Sequence, residues 1–145
     1  MAIDSPIWPS QLDHLCLSSD DPEMLAKYYS KVIGYHILAV AKDTYLLQGK
    51  ERRLVVRKGV PGERPYHGFR LQNLEQLKNV RAFFVSRGLE TVESPSIIFG
   101  EDAVAVRDPD GWLNVFGLPK KDLPSYPSVN GSSEINLAGR LQHVV

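Results

Sequence analysis

Along Gln11-Leu12-Asp13-His14-Leu15-Cys16-Leu17-Ser18-Ser19, a reading at the strand period of two sorts the apolar and polar positions between two faces. This period predicts a strand with Leu15 and Leu17 on one face and Leu12, His14 and Cys16 on the other. Asp20 or Asp21 then caps a helix, and Pro22 suits its first position, where a missing N–H is harmless. Leu25, Tyr28, Tyr29 and Val32 follow at helical spacing, and Gly34 can close the last turn, so the helix spans 22–33. Three β-rich runs come next, at 35–40, 44–48 and 52–57, separated by Lys42-Asp43 and Gly49-Lys50. The first unit reads β-α-β-β-β.

Val60-Pro61-Gly62-Glu63-Arg64-Pro65 cannot continue a ladder and serves as a connector. The pattern then restarts. Residues 66–71 read as a strand and Asn73 as a cap. Leu74, Leu77, Val80 and Phe84 form a helical stripe that Gly88 stops. Further strands are predicted at 91–99, 103–107 and 112–118, with Asp108-Pro109-Asp110-Gly111 as the turn between the last two. His14 and Tyr66 lie 52 positions apart, Asp20 and Asn73 53, and Gly34 and Gly88 54, so the second β-α-β-β-β unit repeats the first. The expected class is α+β: two βαβββ modules forming one curved, mixed or mostly antiparallel sheet, helices on its convex face and a cup on the other.

Composition narrows the function classes. The chain has 145 residues, 43% apolar and 23% charged, and its 17 basic residues balance 17 acidic ones. Such neutrality, without a long basic run, speaks against nucleic acid or an anionic membrane as the main partner. Cys16 is the sole cysteine, which excludes an internal disulfide and suits a reducing cytoplasm. The opening residues carry neither a basic leader nor a long apolar stretch. Residues 1–9 read as an arm, 10–118 as the paired domain and 119–139, rich in Pro, Gly and Ser, as a linker. Residues 140–145, with Leu141-Gln142-His143-Val144-Val145, repeat the opening pattern and read as the first strand of a following domain, making this a piece of a longer protein.

The paired units, the Leu12-Asp13-His14-Leu15 opening, the Asp20-Asp21-Pro22 helix start, the Gly34-Tyr35 helix end and the Asp108-Pro109-Asp110-Gly111 turn together resemble the vicinal oxygen chelate superfamily. That group includes glyoxalase I, bleomycin-resistance proteins and type I extradiol ring-cleavage dioxygenases. One complete domain, a linker and a restarting strand are most similar to the N-terminal part of an extradiol dioxygenase. The resemblance implies a metal held by a first-strand histidine, a fifth-strand histidine and an eighth-strand glutamate. His14 matches the first. On the fifth strand, Phe69 and Leu71 fit the helix-facing positions that follow the ligand, which assigns the ligand position to Tyr66 and puts His67 on the helix side. The eighth-strand position, counted from Asp108, is Val115.

One ligand of three is no divalent site, so the domain is expected to be metal-free, its cup lined by Tyr66, Val115 and Trp112. His14 then reads as a hydrogen-bonded structural histidine or a relic, His67 as packed, His36 as a surface strand residue and Cys16 as buried filler. Asp108 and Asp110 read as turn formers, and Arg52-Arg53 with Arg57-Lys58 as a solvated strand edge. His143 becomes a metal ligand only with a downstream domain.

The leading expectation is therefore a structural N-terminal domain, inactive by itself and without a cofactor, beside a catalytic copy of the same fold that holds Fe(II) and acts on a small aromatic substrate. Two other readings stay open. A dimeric binding protein of the bleomycin-resistance kind would use Tyr28, Tyr29, Tyr45, Tyr66 and Trp112 as aromatic walls. A metal-dependent lyase or isomerase sharing its site between two chains would need a carboxylate such as Glu51 or Glu93.

Overall fold

The computed structural model describes residues 4–123. It contains two βαβββ modules, each with four strands and its own core, and the class is α+β as expected. In the first module, β1 (Gln11–Ser19) leads to α1 (Pro22–Tyr28), which continues as one π-helical turn over Tyr29–Ile33. Strands β2 (His36–Ala41), β3 (Thr44–Gln48) and β4 (Arg53–Lys58) follow. Their spatial order is β2-β3-β4-β1, with β1 and β4 parallel and the other pairs antiparallel. The Asp21 carboxylate accepts from the Met24 N–H at 3.0 Å, which starts α1 where the sequence places a cap.

The helix ends at Gly34 as expected, but its inward stripe differs. Leu25, Tyr29 and Ile33 pack with Leu15, Leu47, Leu54 and Val56, whereas Tyr28 and Val32 are 50% and 65% exposed. The wide turn accounts for the shift. Gly34, at φ 92°, sends its N–H to the Tyr29 carbonyl, which also accepts from Tyr35 at 3.0 Å, so Tyr29 and Ile33 both turn toward the sheet.

The second module runs β5 (His67–Arg70), α2 (Leu74–Ser86), β6 (Thr91–Val92), β7 (Val104–Arg107) and β8 (Leu113–Gly117). Its spatial order is β5-β8-β7-β6, with β5 and β8 parallel. Asn73 caps α2 through Gln76 N–H at 2.8 Å, and Leu77, Val80 and Phe84 face Leu71, Val104, Val106 and Phe116. The strand expected over 91–99 is cut to two residues. Pro95 offers no N–H, and Ser94 and Ser96 turn their hydroxyls onto the amides of Ser96, Ile98 and Phe99, bending the chain out of the ladder. Phe99 still makes one bridge, to Pro119.

A second correction concerns the arginines. Arg53 is buried, at 2% exposure, because β4 lies between β3 and β1 and is no edge, and Arg52, just before β4, is buried at 5% with its guanidinium over the Tyr35 ring. Among the described residues no helix is long and apolar enough to cross a membrane.

Candidate functional site

Strand register brings polar side chains together in the first module. His14 lies opposite Arg53, and Arg53 opposite Gln48, so the three share the face that Leu15, Leu47 and Leu54 turn away from. His14 Nδ1 is 2.8 Å from Asp13 Oδ2, with neither residue more than 1% exposed. Arg53 Nε donates to Gln48 Oε1 at 3.1 Å, and its Nη1 is 3.7 Å from Asp13 Oδ1. The carboxylate thus holds the proton on His14 Nδ1 and balances the guanidinium charge. Burial pushes the His14 pKa below its ordinary value; the Asp13 hydrogen bond and charge raise it in part, and Arg53 lowers it further. Gln48 carries no motif that marks it, Asp13 entered only within the Leu12-Asp13-His14-Leu15 opening, and the period of two that placed His14 was the signal toward this row.

Cys16, one step along the same face, is fully buried, and burial pushes its thiol up to about 11, so it is inert filler as read from the sequence. His36 is exposed on β2. Tyr29 and Tyr45 belong to the helix-side core and offer no wall on the face of His14; Tyr28 is half exposed.

In the second module, Gly68 pairs with Val115 and His67 with Asn114. His67 is therefore in phase with Phe69 on the helix side, while Tyr66 shares the opposite face with Val115; Tyr66 and Val115 are both buried. Trp112 departs from that pair, because it is 40% exposed and its ring stacks on His67 at 6.0 Å with 16° between planes. Asp108 Oδ1 accepts from the amides of Asp110 and Trp112 at 2.9 and 3.0 Å, the turn-forming role expected of it. Glu93 lines a shallow polar hollow with Glu101 and Lys120. His143 and the strand expected at 140–145 lie outside the described residues.

The residues present do not fit a divalent iron site. Position one is an imidazole whose Nδ1 is tied to Asp13 and whose strand neighbour is Arg53, a permanent cation that disfavours a second cation nearby. Tyr66 and Val115, the positions that the resemblance assigns to the other two ligands, are a phenol and an aliphatic side chain. Among the described residues, no three His, Cys, Asp or Glu side chains come together in a group able to hold a metal.

Solved structures share the fold. Homoprotocatechuate 2,3-dioxygenase from Arthrobacter globiformis superposes with a TM-score of 0.68 at 19% identity, covering 80% of this chain and 38% of that one. A variant of the Brevibacterium fuscum homoprotocatechuate 2,3-dioxygenase gives 0.69 at 20% identity, over 86% and 38%. An extradiol ring-cleaving dioxygenase from B. fuscum gives 0.66 at 21%, over 81% and 36%. The chain thus spans less than two fifths of the length of these structures. No curated protein matches. The family model described as Glyoxalase/Bleomycin resistance protein/Dioxygenase superfamily matches residues 11–116, and the chain belongs to that superfamily.

Proposed function

We propose that this chain is the N-terminal, metal-free structural domain of an extradiol-type, catechol-cleaving dioxygenase, inactive by itself. Its partner is a catalytic copy of the same fold, in the same polypeptide or a second chain, holding Fe(II) and the aromatic substrate; His143 is its first ligand. One observation carries the reading: the buried, permanently charged Arg53 in register with His14, the residue that matches the superfamily's first-strand ligand. Two further supports are the fold shared with extradiol dioxygenases and the chain's short span relative to them.

Anaerobic calorimetry with Fe(II), Mn(II) and Zn(II) tests this on the chain, on His14→Ala and on a chain shortened before Gly139. The expected result is no stoichiometric binding that depends on His14, together with no oxygen uptake from catechols. Tight one-to-one binding lost in His14→Ala would overturn it.

A further inference from the structure

We propose that the second module carries, on the helix-bearing face of its sheet, a binding pocket for a neutral aromatic molecule of one or two rings. The cavity there holds about 370 Å³, within the roughly 300–1,000 Å³ range of small-molecule sites. Phe69, Val106 and Phe116 make its floor, with the Phe69 and Phe116 rings stacked at 5.3 Å. Phe84 from α2 and Leu89 beyond it form one wall, because the helix stops at Ser86 and leaves the sheet beneath uncovered. Interiors are ordinarily packed to crystal density, and apolar cavities of as little as about 150 Å³ take up benzene. The floor is chemically suited to such a ring.

The opposite lip is built by the arm before β1, which supplies Ile7 and Trp8. Its position is fixed from α2: Gln76 Nε2 donates to the carbonyls of Pro6 at 3.0 Å and Pro9 at 2.9 Å, on both sides of that dipeptide. Trp8 is 69% exposed although it stands at an apolar mouth. Its indole is available to close on a bound ring by stacking.

The lip also sets the charge of the occupant. Arg107 Nη1 already donates to the Gly111 carbonyl at 2.9 Å, and Asp108 Oδ1 already accepts two backbone amides of its turn. The two charges are of opposite sign, so the lip carries no net charge. Asn114 makes only a 3.5 Å contact to the Trp112 carbonyl, and with Ser10 it can meet a single hydroxyl or carbonyl group. A phenol-like molecule satisfies this arrangement, whereas a carboxylate would give up its hydration for an apolar hollow whose lip carries no net charge. The pocket is separate from the face of Tyr66 and Val115, since Phe69 and Phe116 are on the other side of the same strands.

The test is an amide-resolved NMR titration of the chain with 2-naphthol, with 2-naphthoate as its charged counterpart. Two variants accompany it: Leu89→Trp, which narrows the mouth from an exposed position, and Val106→Phe, which fills the floor. Saturable shifts at the Trp8 indole N–H and at Phe69, Val106 and Phe116 are expected. Affinity should fall at least tenfold for 2-naphthoate and for whichever variants keep the native spectrum, a change of about 1.4 kcal/mol. Absence of saturation up to the solubility limit, equal binding of 2-naphthoate, or binding unchanged in the folded variants would each overturn the proposal.

Discussion

His14 is neutral in the folded chain under conditions where an exposed imidazole begins to charge, because burial lowers its pKa from 6.5 and outweighs the opposing pull of Asp13. The unfolded chain takes up a proton near that ordinary value while the folded chain does not. Stability is therefore level above it and falls as the pH drops below it. Urea midpoints should be lower at about pH 5.5 than at about pH 7.5, and His14→Gln should flatten part of that slope. Asp13 gives the complementary test. Arg53→Met leaves its carboxylate buried beside no guanidinium, and the expected loss is about 3–5 kcal/mol by denaturant titration. Cys16 should resist thiol reagents until the chain unfolds. At this scale the sequence showed His14 on a polar-bearing strand face, yet it hid Arg53, since alternation assigns a face within a strand and leaves the neighbouring strand unnamed.

Elements were legible where period and punctuation agreed. The caps at Asp21 and Asn73, the turn at Asp108 and the stop at Gly34 all lie where residue chemistry placed them. The failures have physical causes of their own. Arg52 and Arg53 read as an edge because charges ordinarily mark one, but strand order in the module makes β4 internal. The stripe read through Tyr28 and Val32 failed because the π turn directs Tyr29 and Ile33 inward instead. On β8, Gly117 has no room for a side chain: a Cβ there would come within 2.9 Å of Ala103 and Phe99. Gly117→Ala should destabilise the chain by about 1–3 kcal/mol. Asn73→Ala, which removes the α2 cap, should lose about 1 kcal/mol, both read from denaturation midpoints.

For the molecule as a whole, the repeated order of elements was the strongest signal, since a spacing kept from strand through helix to glycine is hard to produce without two copies of one unit. The shared face of Tyr66 and Val115, opposite to that of Phe69 and Phe116, was legible as well, because phase along a strand follows from period two. What stayed hidden was nonlocal, including the cavity under the arm, which needs the Gln76 contacts across some seventy residues. Strand β2 leaves a practical legacy. All six residues of His36–Ala41 are exposed on an outer strand, and five of them are aliphatic. Handled alone at high concentration, the chain should lose clarity over days as these ribbons find one another, unless a charge such as Val40→Lys keeps the suspension colloidally stable.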